Sequence, residues 1–318
     1  MTPPVLLGDA EVRDRLDPAR ALAAVRQALL DHHAGRLAAP PRVRAGLGDG
    51  ELVFTVGALS GGGGGRGLHG FRAYGTGERG GAQLVAVWDS ASGELAAVVH
   101  GQELGPRRTG AIGAVAVETL ARPGAERFAV IGTGPQAWAQ LWALSGSRTH
   151  RPAEVAVFGR RTGRAERFAE RARSRLGLAV RVAGSAREAV TGREVVIVAT
   201  DSPTPVLEAD AVAPGTHVST LGPKTTTRYE LPVELAARAS VIVTDSPAQC
   251  GSYGTDHLLG PAPVAGLGAV LAGAARGRGG ADDITLFSSV GLAGTEVAVA
   301  AALLPQAPGN ASSSAGVG

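Results

Sequence analysis

Cysteine, methionine, lysine and the aromatic residues are all scarce in this chain of 318 residues. Its one cysteine, Cys250, excludes an intrachain disulfide and any cysteine-cluster metal site, and predicts a reducing, cytoplasmic setting. No uncharged apolar run approaches the roughly 18 residues that span a bilayer, so no membrane partner is expected. A secretory signal is not expected either, because Leu6 and Leu7 are followed at once by Asp9, Glu11 and Arg13. A strong charge of one sign is also lacking. The net charge is +3, and the densest basic stretch, Arg160 to Arg175, also carries Glu166 and Glu170, with i, i+3 pairs such as Arg167–Glu170 and Glu170–Arg173. Nucleic acid is therefore not an expected partner.

What is present is enough for a core. Hydrophobic residues make up 44%, which excludes global disorder. Glycine and proline together stay below the level of low-complexity sequence. The length suits two domains, or one with a large appendage. One scarcity is positional. Of 31 basic residues thirty are arginine, and the only lysine is Lys224.

Three patterns follow one another along the chain. The first forty residues read as helical, with Asp17-Pro18 opening an amphipathic run that Pro40-Pro41 stops. From Arg42 to His100, short alternating segments separated by glycine-rich turns predict antiparallel strands, with a flexible loop at Ser60 to Gly67. After a helix at about 107–121, uniformly apolar strands near 127–134, 154–160, 194–200, 216–222 and 240–245 alternate with helices. This predicts a parallel sheet covered on both faces. A segment at 284–294 leads into a last helix, and the tail from Pro305 is expected to be disordered. The fold class is α/β: a Rossmann-type parallel-sheet domain (111–287) plus an α+β domain built from both ends of the chain (1–110 and 288–304).

The first parallel strand ends in "VIGTGPQA", residues 130–137. Gly132, Gly134 and Ala137 form a G-x-G-x-x-A pattern, with Thr133, Pro135 and Gln136 between them. Such a turn, between a strand and a helix, brings backbone and helix N-terminus to a dinucleotide pyrophosphate. NAD-binding sites usually carry an acidic residue at the end of the second strand. Here Gly159 is followed by Arg160 and Arg161, which suit a 2′-phosphate and point to NADP(H) ahead of NAD(H). Thr109, Thr200, Leu221 and Gly222 complete the expected cofactor contacts.

"RRTGAIGAVAVETLA" (107–121), "VIGTGPQA" (130–137), Leu221-Gly222 followed by Glu230-Leu231, and "ITLFSSVGLAG" (284–294) together resemble the ornithine cyclodeaminase/μ-crystallin family over roughly residues 20–304. The resemblance implies a homodimer and hydride transfer between a nicotinamide and the α-carbon of an amino or imino acid. It also implies a cluster of cations holding the substrate carboxylate. Arg108 matches the first of these, Arg42 the second with Arg44 in competition, and Arg72 stands where the family usually has a lysine. Glu296 takes the place of an acidic residue that closes the pocket.

The chain departs from the family pattern at one telling position. Family cyclodeaminases carry a catalytic Asp two residues after the glycine matching Gly222, whereas here Lys224 stands there. A partly buried lysine can be tuned toward neutrality, which an arginine cannot, so Lys224 is the expected acid/base, with Arg72 beside it. The expected activity is an NADP(H)-dependent imine or ketimine reductase, or an amino-acid dehydrogenase, acting on an amino, imino or oxo acid. A cyclodeaminase with bound NAD, or a silent binder of NADPH and a small ligand, are the alternatives. His69 is a further pocket candidate and Cys250 reads as a packing residue. His32 and His33 read as solvated, and His217 and His257 lack partners at metal-ligand spacing, so no metal is expected.

Overall fold

The alternating segments after Pro41 fold as one antiparallel ladder. In the computed structural model, which describes residues 3–48, 50–61, 66–76, 81–260 and 264–304, the strands Glu51–Leu59, Leu68–Thr76, Gln83–Asp89 and Leu95–Gly101 pair in sequence order. The short strand Leu37–Ala38 and the strand Val43–Gly46 both pair with Glu51–Leu59. At the far edge Val5–Leu7 joins Leu95–Gly101 in parallel, which makes the sheet mixed. The two short strands correct the helical reading of the first forty residues. Each is two or three residues long, too short to show any periodicity. The helix Pro18–His33 forms where the amphipathic run predicts it, with the Asp17 carboxylate accepting from the Arg20 amide at 2.8 Å.

The apolar runs of the second half stand side by side in an all-parallel sheet. Its order is Ala179–Val182, Glu154–Phe158, Arg127–Ile131, Val195–Val198, His217–Thr220, Thr285–Ser288, Val241–Thr244 and Ala265–Gly266. Ala179–Val182 and Ala265–Gly266 are additions to the sequence reading, both at sheet edges. The order reverses between Arg127–Ile131 and Val195–Val198. In such sheets ligands bind in the crevice that opens at the carboxyl ends of the strands.

The helix Leu104–Leu120 is buried on nearly every side and packs against the helices Pro18–His33 and Pro135–Ser145. The last helix, Thr295–Leu303, returns to lie on three strands of the mixed sheet. Both ends of the described chain thus pack around the first sheet, and the parallel sheet lies between them in sequence. No helix among the described residues is long and apolar enough to cross a membrane. The tail from Pro305 and most of the glycine run in the Ser60–Gly67 loop lie outside the described residues.

His217, fully buried, marks where the parallel sheet meets polar packing. Its Nδ1 lies 2.9 Å from the Thr285 hydroxyl and its Nε2 3.0 Å from the Ser219 hydroxyl. Burial, with Arg278 and His150 adding to it, pulls its pKa down to about 3. The folded state therefore keeps this ring neutral, while the unfolded chain takes up a proton below a pH of about 6.5. Its contribution to stability is complete above that pH and is lost as pH falls toward 3. Comparing wild type with His217→Gln by urea unfolding, we expect the stability difference to shrink by about 2–3 kcal/mol between pH 7 and pH 4.5. An equal difference at both pH values would show that this ring does not set acid sensitivity.

Candidate functional site

The strand Arg127–Ile131 delivers the glycine turn to the crevice. Gly132 has φ +117°, and a Cβ there would lie 2.2 Å from the Ala199 carbonyl oxygen, so the neighbouring strand admits no side chain. Gly134 is different. Its φ is −89°, and a Cβ built on it would meet nothing within 4 Å. Nothing inside the protein requires glycine at 134, so the bare surface serves what approaches from outside. Gly134 caps the helix Pro135–Ser145, whose first-turn amides at Gln136 and Ala137 have no partner within the helix. This cradle fits a pyrophosphate. Ala137 is buried and lets the helix settle on the sheet.

Other expected cofactor residues are constrained by their neighbours. The Thr133 side chain closes over Gly159, where a Cβ would come within 2.9 Å of Thr133 Cγ2. Arg160 and Arg161 are exposed, and among the described residues neither forms an ion pair. The Gln136 Oε1 is buried without a hydrogen-bond partner among the described residues. The Thr109 hydroxyl donates to the Gly105 carbonyl, and the Thr109 carbonyl accepts from the Gln140 amide.

Thr200, Leu221 and Gly222 are gripped by a residue that sequence reasoning used only as a motif letter. The fully buried Glu230 carboxylate accepts from the Thr200 amide and hydroxyl, at 2.8 and 2.7 Å. It also accepts from the Thr220 hydroxyl and from the amides of Leu221 and Gly222, at 2.6, 3.0 and 2.6 Å. The Leu-Gly to Glu-Leu spacing therefore has a mechanical meaning: the loop folds back so that its glutamate ties two strand ends together. These donors are spent on Glu230, and they shape the crevice wall through it.

The arginines converge as the resemblance implies, with one discrimination the sequence left open. Arg42 donates its amide and Nε to the Gln249 Oε1, at 2.8 and 3.1 Å, and Nη2 to the Val290 carbonyl. Arg44 instead pairs with Glu51 at 2.6 Å on the surface. Arg42 Nη2 and Arg108 Nη1 lie 3.2 and 3.4 Å from the position of a Cβ on Gly291, which brings the two guanidinium groups to the same backbone turn. Arg72 and Arg108 share the Glu296 Oε1, Arg72 at 3.1 Å. Burial works against ionisation of Glu296, but Arg108 and Arg72 hold its carboxyl below the usual range. Arg72 also stacks over the Tyr74 ring at 4.2 Å. The Nε groups of both Arg72 and Arg108 are buried without partners among the described residues. Two cations with unspent donors suit an anion.

Lys224 lies beyond Gly222 on the short strand Lys224–Thr225, buried at 8% exposure, not in an open loop. Its Nζ donates to the Gly222 carbonyl. Burial pushes the amine below its ordinary pKa; Glu230 and Asp245 work against this and Arg42 works with it. Asp245 organises the opposite wall. Its carboxylate accepts from the Ser289 hydroxyl and the amides of Val290 and Gly291, at 2.8–3.0 Å, which fixes the turn under Arg42 and Arg108. His69 is exposed and stacked on Trp88, on the sheet face opposite Arg72. Cys250 is buried, and burial pushes its thiol up.

Sequence reasoning missed Glu230, Asp245 and Gln249 as organising residues. Two carried a faint signal, since "EL" recurs after the loop and "DSPAQ" follows a strand end.

Known proteins share this fold and sequence pattern. Residues 4–309 match the family model described as ornithine cyclodeaminase/mu-crystallin family. The chain is 32% identical over 220 residues to the ketimine reductase mu-crystallin of Mus musculus, covering 69% of this chain and 67% of that protein. The structure of a probable ornithine cyclodeaminase from Bordetella pertussis superposes with a TM-score of 0.86 at 26% identity, covering 95% and 96% of the two chains. An archaeal alanine dehydrogenase dimer with bound NAD superposes with a TM-score of 0.83 at 29% identity, covering 94% of each chain. With the parallel sheet, the glycine cradle and the paired arginines in place, the chain belongs to the ornithine cyclodeaminase/mu-crystallin family.

Proposed function

We propose that the chain is an NADP(H)-dependent oxidoreductase that reduces the C=N bond of an α-imino acid, cyclic or formed from a 2-oxo acid and an amine. The observation that carries this reading is the buried lysine beside a turn where Arg42 and Arg108 meet, with spare arginine donors nearby. The α-carboxylate binds to Arg42, Arg72 and Arg108, each charge-assisted bond contributing about 1.5–3 kcal/mol. Glu296 keeps Arg72 and Arg108 in register without cancelling both charges. Lys224 holds a proton at Nζ and gives it to the substrate nitrogen. A bound nicotinamide supplies the hydride that reaches the α-carbon. The carboxylate that family cyclodeaminases use is replaced by Lys224, which argues against ornithine-type deamination. NADPH consumption with pyrroline- or piperideine-2-carboxylate, run beside ammonia release from ornithine, tests the reading. Reduction without ammonia release is expected. Ammonia release would support the cyclodeaminase, and neither activity the silent binder.

Cofactor choice rests on Arg160 and Arg161, exposed at the second strand end and without an ion pair among the described residues. The ratio of kcat/KM for NADPH over NADH should exceed one, and Arg160→Ala with Arg161→Ala should lower it by about tenfold or more. A clear preference for NADH in the wild type would overturn the 2′-phosphate reading.

The lysine gives a signed pH effect. Imine reduction needs the ammonium form, so kcat should fall as pH rises through the lowered Lys224 pKa, and the oxidative direction should show the opposite limb. Lys224→Arg should keep the charge and lose about 10²–10⁴-fold in kcat. A modest rise in KM with intact kcat would instead make Lys224 a carboxylate ligand.

A homodimer is supported by the outer face of the mixed sheet. Strand register aligns Leu6, Val98, Ala86, Phe71 and Val56 in one row across five strands, and Leu6 and Val56 are 68% and 41% exposed. Light scattering should report a dimer for the wild type and a folded monomer for Val56→Glu. A monomeric wild type would overturn this assembly.

A further inference from the structure

Lys224 borders a small space that the proposed chemistry has not used. It measures about 10 Å³ and is lined by Lys224 and His257, with Leu231, Pro232, Leu258 and Leu286 among its apolar walls. That is about the room one water molecule needs. The hydroxyl-bearing Thr220 and Ser288 also border it.

His257 is built into the lysine's own surroundings. Its Thr225 bridge and the Leu258 amide, which donates to the Lys224 carbonyl at 2.7 Å, tie the segment to the strand of Lys224. The ring is 1% exposed and meets Tyr253 edge-on. Its Nδ1 accepts from the Leu259 amide at 3.1 Å, so the neutral ring carries its proton on Nε2. That Nε2 is buried without a hydrogen-bond partner among the described residues. A buried donor without an acceptor, on a residue that lines a water-sized space together with Lys224, is an expensive arrangement unless something accepts from it.

We propose that this cavity is a water site and that His257 is a positioning residue for Lys224, its Nε2–H holding one water against the lysine amine. The inference rests on the reading of Lys224 as the working acid. The water's chemistry suits that role. Toward Nζ it accepts from the ammonium or donates to the neutral amine, whereas a direct Nε2–H contact would serve the neutral form alone. The amine keeps its bond to the Gly222 carbonyl in either state, and the water adds a donor for the lone pair of the neutral form, so the change of state strands no buried polar atom. Besides the Gly222 carbonyl that accepts from it, the amine is influenced by Glu230 and Asp245, which favour its charge, by Arg42, which opposes it, and by the Cys250 thiol. Burial and the nearby lysine both keep His257 neutral.

Because Lys224 is the only lysine in the chain, its titration can be read without any enzymatic assay. Labelling with [¹³C]lysine gives one side-chain resonance whose midpoint is followed by NMR in wild type, His257→Leu and His257→Gln. We expect His257→Leu to displace the midpoint by more than about half a pH unit, and His257→Gln, which retains a donor, to restore it. A high-resolution crystal structure of the wild type should show one water within hydrogen-bond distance of both His257 Nε2 and Lys224 Nζ. A dry cavity overturns the proposal, and so does a midpoint that His257→Leu leaves unmoved or that His257→Gln fails to restore. The wild-type crystal decides even where a variant does not fold. Absence of imine reduction would sink the enzymatic reading alone, since none of these measurements depends on turnover.

Discussion

A single carboxylate oxygen, the Oε1 of Glu296, accepts from two guanidinium groups in the protein interior. The strand Leu68–Thr76, the helix Leu104–Leu120 and the last helix Thr295–Leu303 meet at this point. A buried carboxylate with one partner removed is costly by about 3–5 kcal/mol, so the triad holds these three elements together or not at all. It also has a useful arithmetic. Two cations against one anion leave a surplus positive charge in a largely buried region. The same group thus fixes the arginines in space and leaves them unsatisfied.

Two other buried carboxylates divide the remaining labour at the strand ends. Glu230 gathers the ends of Val195–Val198 and His217–Thr220, and Asp245 gathers the turn after Thr285–Ser288. Both do so mainly through backbone amides, and that shapes the crevice without offering side chains to a ligand. Lys224 lies between these anchors, and its amine feels both carboxylates as well as Arg42. The electrostatic setting of the lysine is therefore a by-product of how the loops are fastened.

The larger elements were legible because their residues repeat at the period of their structure. Alternation from Arg42 to His100 marked the ladder, and unbroken Val/Ile runs marked the parallel strands. Val5–Leu7 and Leu37–Ala38 were illegible because two or three residues carry no period, and their pairing is settled by distant strands. The glycine turn was legible as a strand-to-helix turn, and Gly132 is the position where packing demands glycine. Arg42 and Arg44 could not be told apart by sequence, since the choice is made by Gln249, 207 positions further on. Partial burial of Lys224 was expected, but the cover supplied by the segment around His257 was not legible. Glu230 and Asp245 organise the crevice through contacts that only the folded chain creates.

The return of the last helix to the first sheet has a consequence for the order of folding. Arg108 and Glu296 are 188 positions apart, and the whole parallel sheet is made in between. Closing so long a loop before that sheet has formed is entropically unfavourable, whereas afterwards the folded unit brings its two ends together. During synthesis, domains form in order from the N-terminal side, and surfaces that await a late partner are exposed to misassembly. The mixed sheet must wait, with its inner apolar face uncovered, until Thr295–Leu303 has emerged. The arginine cluster is consequently among the last features to be completed, so a nascent chain can acquire its glycine turn well before the Arg72–Glu296–Arg108 cluster.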